Sequence, residues 1–179
     1  MADVLLLIDL QNDYFPGGAM ELQGADAAVA RAGELLRAWR FCRRPVVHVR
    51  HLAARADATF FRTGTPGADF HPEVAPLEGE AVVEKAFPNA FRGTELEARL
   101  RDLKPDALVV AGMMTHMCVD TTVRAAADLG FTVRLAADAT ATRPLAYSGL
   151  LVPPEHVQAA YLAALQSFAD VVPTGTLLG

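Results

Sequence analysis

The stretch "VVAGMMTHMCVDTTVRAAADLG", residues 109–130, joins an apolar run to an amphipathic segment through a short turn. "DALVVAG" has the continuous apolar character of a strand that is covered on both faces. "CVDTTVRAAADLG" has helical spacing, and Gly130 is the residue type that commonly follows the end of a helix. A buried strand that leads directly into a helix is the repeating unit of an α/β fold.

The same alternation of apolar runs and amphipathic stretches continues along the rest of the chain. Strands are predicted in "DVLLLIDL", "PVVHVRH", "GEAVVEKAF", "TVRLAADA" and "DVVP", and helices in "GADAAVARAGELLRAWRFC", "TELEARLRDL" and "PPEHVQAAYLAALQSFA". Thr94 is the expected N-cap of the second helix. The polar, glycine-containing segment 52–79 is expected to be a long loop that shapes a site. The predicted fold class is α/β, with a single doubly wound, mostly parallel sheet and helices on both faces.

Composition limits the class of protein further. With 179 residues, 52% of them hydrophobic, the chain can bury one substantial core, which predicts a single domain over residues 1–179. A net charge of −5 gives no basic surface for nucleic acid. No segment has the length and apolarity of a membrane span or the basic start of a signal peptide. Two cysteines cannot form a disulfide framework, so a cytoplasmic location is expected.

Chemically useful side chains follow several of the predicted strands. Ligands of parallel sheets bind beyond the carboxyl ends of the strands, which brings together Asp9, His51, Lys85 and the turn 112–118. Cys118 is expected in the first turn of a helix, where free N–H groups and a nearby cation such as Lys85 lower a thiol pKa. Asp9 can accept the thiol proton. Each group also has a structural interpretation, as a buried small side chain, a loop cap or a solvated charge.

Five segments in order along the chain resemble the isochorismatase-like cysteine hydrolases, which include nicotinamidases and carbamoylsarcosine amidases. The segments, from about residue 3 to 178, are "LLLIDLQNDYF", "VEKAFPNAF", "VVAGMMTHMCVDTTVRAA", "ADATATR" and "HVQAAYLAAL". The resemblance implies a catalytic triad of Asp9, Lys85 and Cys118. In it, Cys118 attacks a carbonyl carbon, Asp9 shuttles the proton, and Lys85 lowers the thiol pKa and orients the pair. It also implies a cis peptide between Met113 and Met114, and an oxyanion hole formed by the Met114 and Cys118 N–H groups.

Aromatic residues and the neighbours of Cys118 are candidates for the substrate pocket. Phe15, Phe60, Phe61 and Phe91 are possible pocket walls, and plain core packing is an equal alternative for each of them. His116 and Met117 flank the proposed nucleophile in the turn, and His51 is a further pocket candidate. Cys42 has no neighbouring acid–base partner and is interpreted as structural.

The sequence departs from the nicotinamidase pattern at the metal site. Nicotinamidases carry an Asp-x-His element after the second strand, whereas "VVHVRHLAARAD" has Val49 two residues before His51. We therefore predict no metal and no cofactor, and a metal-independent cysteine hydrolase that cleaves an amide, ureide or carbamoyl C–N bond of a small molecule through a thioester. An isochorismatase-type ether hydrolase and a catalytically silent, thiol-sensing protein are the alternatives. A homo-oligomer, dimer or tetramer, is expected, with residues 146–179 as its interface.

Overall fold

A parallel six-stranded sheet forms the centre of the computed structural model, which describes residues 2–55 and 57–179. The strands in chain order are β1 (Val4–Ile8), β2 (Val46–His51), β3 (Ala81–Lys85), β4 (Leu108–Met113), β5 (Val133–Ala141), β6 (Leu145–Tyr147), β7 (Leu150–Val152) and β8 (Asp170–Val172). The helices are α1 (Ala25–Phe41), α2 (Leu96–Leu103), α3 (Asp120–Asp128), α4 (Pro154–Leu165) and α5 (Thr174–Leu178).

The strand order places a crevice in the middle of the sheet. The order is β3-β2-β1-β4-β5-β8, and all neighbouring pairs are parallel. The chain progresses outward from β1 in one direction and from β4 in the other, so β1 and β4 flank the point where the order reverses. Ligands of doubly wound sheets bind at such a point, beyond the carboxyl ends of the strands. The predicted α/β class with a parallel sheet is confirmed.

The central strand β1 is buried on both faces of the sheet, which explains its continuous apolar run. Leu5 and Leu7 pack into a core cluster with residues of α1 and α5, including Leu36 and Leu177. The alternate residues of β1 pack into a second cluster with α2, α3 and α4. Each such leucine contributes about 1.5–3 kcal/mol through its removal from water. These two layers fix the sheet between helices on both faces.

A close approach between β1 and β4 requires glycine at position 112. Gly112 lies opposite Ile8 in the ladder and has φ 144°, and a Cβ atom there would collide with the carbonyl oxygen of Ile8. Glycine alone combines this backbone conformation with the missing side chain. Gly112 thereby brings the turn that follows β4 against the end of β1.

Several local features differ from the sequence prediction. The helix predicted to be capped by Thr94 begins at Leu96 with Glu95 as its N-cap, although the Thr94 hydroxyl still accepts a hydrogen bond from the Leu96 N–H at 3.3 Å. Strands β6 and β7 form an antiparallel hairpin that was not predicted, because three-residue strands carry little periodicity. The segment 52–79 contains two short 3-10 turns. Within the described residues, no helix has the length and apolarity needed to cross a membrane.

Candidate active site

Three side chains from three different strand ends meet at the switch point. Asp9 follows β1, Lys85 ends β3, and Cys118 lies in the turn after β4; all three are buried, with 0%, 3% and 5% exposure. The Lys85 Nζ is 2.7 Å from Asp9 Oδ2 and donates a hydrogen bond to Cys118 Sγ at 3.2 Å. The sequence predicted this convergence from the edge of the sheet, and the structure brings the three residues together.

Asp9 is held in place by a backbone hydrogen bond and by an ion pair with Lys85. Its φ of 52° lies in the left-handed region, and its N–H donates to the carbonyl of Val49 in β2 at 3.0 Å. Within the described residues, neither carboxylate oxygen has a partner in hydrogen-bonding geometry. The 2.7 Å contact with Lys85 is therefore an ion pair. A buried carboxylate beside a thiol is well suited to accept its proton.

Cys118 lies in the first turn of a helical segment, as predicted, and this turn, Thr115–Val119, is π-helical and runs directly into α3. The Val119 N–H reaches back five residues to the carbonyl of Met114 at 3.2 Å, and α3 begins only at Asp120. The Met113–Met114 peptide bond that leads into this turn is cis. Single π-helical turns are rare and occur frequently at functional sites. The wider turn sets Cys118 just before the helix.

Burial dominates the electrostatics of the Cys118 thiol. Burial raises its pKa above the ordinary value, the negative charge of Asp9 raises it further, and Lys85 lowers it without cancelling the increase. The expectation of a low thiol pKa is therefore wrong for the resting site. Burial is the largest single influence on Lys85 and opposes its charged form, but the charges and hydrogen bonds of Asp9 and Cys118 together outweigh it, and the Lys85 pKa is raised. The resting arrangement is a carboxylate–ammonium pair beside a neutral thiol.

The donors required for a cation site are also present here. One ligand atom each from Asp9, His51 and Cys118 lie within 4.8 Å of one another, a mixed O/N/S set that suits a transition metal. The Lys85 Nζ contacts the same three side chains, at 2.7 Å from Asp9 Oδ2, 2.9 Å from His51 Nδ1 and 3.2 Å from Cys118 Sγ. The ammonium group thus stands where these ligands would place a metal, and the absence of a metal stays a prediction.

A cavity of about 450 Å³ adjoins His51, and none of its described lining residues belongs to the triad. Its described lining includes His51, which contacts Lys85, and Phe60 from the loop 52–79. Phe61 is buried, with its ring 5.8 Å from His51 and 5.1 Å from Phe60, and it supports this wall from behind. This arrangement agrees with a pocket role for His51 and Phe60.

The other aromatic candidates pack elsewhere. Phe15 is buried against the ring of His71 at 4.1 Å. Phe91 stacks at 6.2 Å on Phe131, which precedes β5. Neither belongs to the described lining of the cavity beside His51. For these two residues, the packing interpretation that the sequence left open fits the structure better.

His116 and Met117 share the turn of Cys118 but differ in environment. His116 is buried, and its Nδ1 lies 2.6 Å from the Thr142 hydroxyl oxygen. Burial lowers its pKa, and the charge of Arg143 lowers it further. Met117 is 39% exposed. His116 is thus tied to the chain after β5, whereas Met117 is free to contact a substrate. Cys42, the other free cysteine of the chain, is exposed after α1.

Two polar residues that support the site were missed in the sequence. Gln11 is completely buried and bonds to the backbone of His51, and the Asp13 carboxylate accepts the Phe61 N–H at 2.6 Å. Both lie in the segment "LLLIDLQNDYF" that carries the family resemblance. Their position in a motif next to Asp9 was the available signal.

Comparison with known proteins identifies close relatives along the whole chain. A family model described as "Isochorismatase domain" matches residues 3–176. The uncharacterized isochorismatase family protein YddQ of Bacillus subtilis is 42% identical over 174 residues, with 97% of each chain covered. The crystal structure of an isochorismatase from Pseudomonas putida has a TM-score of 0.92 and 40% identity, covering 97% of this chain and 89% of that chain. The nicotinamidase/pyrazinamidase of Mycobacterium tuberculosis is 32% identical, covering 76% of this chain and 85% of its own length.

Proposed function

The chain belongs to the isochorismatase family of hydrolases, and on that basis we propose that it hydrolyses a C–N bond of a small amide, ureide or carbamoyl compound. The observation that carries the proposal is the contact of one buried ammonium group, Lys85, with both the Asp9 carboxylate and the Cys118 thiol. The nicotinamidase/pyrazinamidase relative supports an amide as the substrate.

The first step moves the thiol proton to Asp9. Because burial and the Asp9 charge keep Cys118 neutral at rest, the sulfur becomes nucleophilic only as its proton leaves. Protonation of Asp9 removes the charge that opposes the thiolate, and the Lys85 ammonium then pairs with the sulfur. The thiolate attacks the carbonyl carbon, and the carbonyl oxygen becomes an oxyanion. We assign its stabilisation to the backbone N–H groups of Met114 and Cys118.

The second half of the reaction returns the enzyme to its starting state. Collapse of the tetrahedral intermediate breaks the C–N bond, and the leaving amine takes the proton from Asp9. The acyl group stays on Cys118 as a thioester. Asp9 then takes a proton from water, the resulting hydroxide attacks the thioester, and the acid is released. The Cys118 sulfur regains the proton held by Asp9.

We propose that the reaction is metal-independent, and the place of Lys85 in the site supports this. A metal bound to Asp9, His51 and Cys118 would have to displace the ammonium that already contacts all three. The ammonium supplies the positive charge that the thiolate needs, so the proposed mechanism uses neither a metal nor a cofactor.

We also propose that the chain forms a homo-oligomer and resides in the cytoplasm. The β6–β7 hairpin exposes Tyr147, Leu150 and Leu151 by 84%, 67% and 65%, and a second copy of the chain would cover them. A reducing compartment would protect the two free thiols. The double variant Leu150→Ser/Leu151→Ser should shift the mass measured by light scattering toward 19.1 kDa, the mass of one chain. A wild-type protein of that mass would contradict the oligomer.

The substrate class is tested by ammonia release from a panel of small amides, ureides and carbamoyl compounds. Cys118→Ala should abolish release while circular dichroism and the melting temperature stay close to the wild type. Cys42→Ala is the matched control and should retain activity, because its side chain is exposed and far from the triad in sequence. Turnover of a vinyl ether without any amide would favour the ether hydrolase, and Cys118-independent ammonia release would contradict the mechanism.

A further inference from the structure

The backbone of His51 is clamped by a buried side chain. The His51 N–H donates to Gln11 Oε1 at 2.8 Å, and Gln11 Nε2 donates to the His51 carbonyl at 2.9 Å. The same Nε2 donates to the carbonyl of Ala68 at 2.8 Å, which ties the end of β2 to the loop that follows it. Gln11 is completely buried, so this clamp is shielded from water. Such a rigid attachment suits a side chain whose position matters.

The hydrogen bond between His51 and Lys85 fixes the tautomer of the imidazole. Because the Lys85 pKa is raised, Nζ is an ammonium group and can only donate. His51 Nδ1, at 2.9 Å, is therefore the acceptor, and the ring proton is on Nε2. Burial and the charge of Lys85 both lower the His51 pKa, which keeps the ring neutral. Within the described residues, Nε2 has no hydrogen-bond partner.

We propose that His51 positions the Lys85 ammonium through Nδ1 and offers its Nε2–H to an uncharged acceptor oxygen of the substrate. This inference rests on the proposed amide hydrolysis and narrows its substrate class. His51 lines the cavity of about 450 Å³, where its free Nε2–H would meet a bound molecule. A single imidazole thereby connects substrate recognition to the cation that assists Cys118.

The charges around the cavity favour an uncharged acceptor, such as a second carbonyl group, over a carboxylate. Among the described lining residues, Arg55 and Asp57 neutralise each other through two hydrogen bonds of 2.9 Å and 2.7 Å. Lys85, which contacts His51, is itself paired with Asp9. Among the described residues around the cavity, a carboxylate would thus lose its hydration without meeting an unpaired cation, which is costly. A carbonyl oxygen needs only the neutral Nε2–H donor.

Substitution of His51 by the two amides separates its roles. Asn places an oxygen near Nδ1, and Gln places a nitrogen near Nε2. His51→Asn should keep kcat within about threefold and raise KM about tenfold, the value of one hydrogen bond of roughly 1.4 kcal/mol. His51→Gln should instead lower kcat by about tenfold with a smaller change in KM. His51→Phe keeps neither ring nitrogen, so it should both lower kcat and raise KM.

The pH profile gives a readout that a purely structural role would not change. Protonation of His51 removes the Nδ1 acceptor and places the imidazolium beside the Lys85 ammonium. The kcat/KM of the wild type should therefore fall as the pH is lowered through the His51 pKa. Among the described residues, the charged or titratable groups near the ring are Lys85, Asp9, Cys118 and the Arg55–Asp57 pair. His51→Asn should lack this acid limb. His71→Asn is the matched control, because His71 is also a partly buried histidine but packs on Phe15, and it should retain the limb.

A measurement without turnover separates this inference from the proposed function. At pH values where His51 is neutral, the alkylation rate of Cys118 should be similar for wild type and His51→Asn, and should differ for His51→Phe, where Lys85 loses its acceptor. Identical alkylation profiles for all three proteins would overturn the positioning role. An equal preference of wild type and His51→Asn for neutral over carboxylate-bearing amides would overturn the recognition role. If neither the wild type nor the variants released ammonia from any amide, but their alkylation rates differed as expected, only the proposed function would be contradicted.

Discussion

Replacing Asp9 by Asn should make the Cys118 thiol more reactive toward an alkylating agent while hydrolysis is lost. The Asp9 carboxylate and Cys118 sulfur lie within 4.8 Å of each other, and both are almost fully buried. At that distance, the repulsion between a carboxylate and a thiolate is about 3.5 kcal/mol for an effective dielectric constant of about 20. Its removal should raise the thiolate population, and with it the alkylation rate, about 300-fold at a fixed pH. The Lys85 ammonium then has the thiolate as its only counter-ion.

The assay follows iodoacetamide labelling of the Cys118 peptide by mass spectrometry, in a Cys42→Ala background that removes the exposed thiol. Glu84→Gln is the control for the loss of a negative charge. Glu84 precedes Lys85, but its side chain points outward and pairs with Arg50, so labelling should stay near the wild-type rate. Labelling of Asp9→Asn that is as slow as that of the wild type would refute the electrostatic reasoning. Normal hydrolysis by Asp9→Asn would refute the proton transfer.

Three other perturbations test the electrostatics and the metal. Lys85→Met should lower the free energy of unfolding measured in urea by about 3–5 kcal/mol, because Asp9 becomes an unpaired buried charge; combining it with Asp9→Asn should recover part of the loss. Extensive dialysis against EDTA should leave ammonia release intact, and a loss that zinc restores would contradict metal independence. Burial alone would raise the Glu80 pKa, but Arg40 and His48 depress it to about 2. Glu80→Gln should therefore cost about 3 kcal/mol at neutral pH, a difference that disappears as the pH falls from about 4.5 toward 2.

The sequence predicted the sheet because its central strands are buried on both sides. Continuous apolar runs such as those of β1 and β4 occur only where both faces are covered, and the residue after each run is then at the carboxyl edge. That rule alone brought Asp9, Lys85 and Cys118 together before any coordinates were known. The chemical roles of the three residues stay predictions, since geometry shows contact and not reaction.

The sequence did not predict features that depend on contacts between distant residues or on the balance of opposing electrostatic effects. The Gln11 clamp joins residues 40 positions apart, and no local pattern encodes it. The π-helical turn differs from an α-helix by one hydrogen-bond register. The direction of the Cys118 pKa shift depends on whether burial and the Asp9 charge outweigh the Lys85 charge. The sequence alone does not show which of these effects is larger. For Phe91 the sequence left a pocket role and core packing open, because aromatic composition carries no information about which side chains a residue meets.

The covalent intermediate on Cys118 is the most direct test of the central claim. Wild-type protein mixed with an amide that it hydrolyses should be quenched in acid within milliseconds to seconds and measured as an intact mass. The account predicts an added mass equal to the acyl part of the substrate, located on the Cys118 peptide and removed by hydroxylamine. Cys118→Ala should show no adduct. Rapid hydrolysis with no adduct at any quench time or pH, or an adduct on another residue, would contradict a Cys118 thioester.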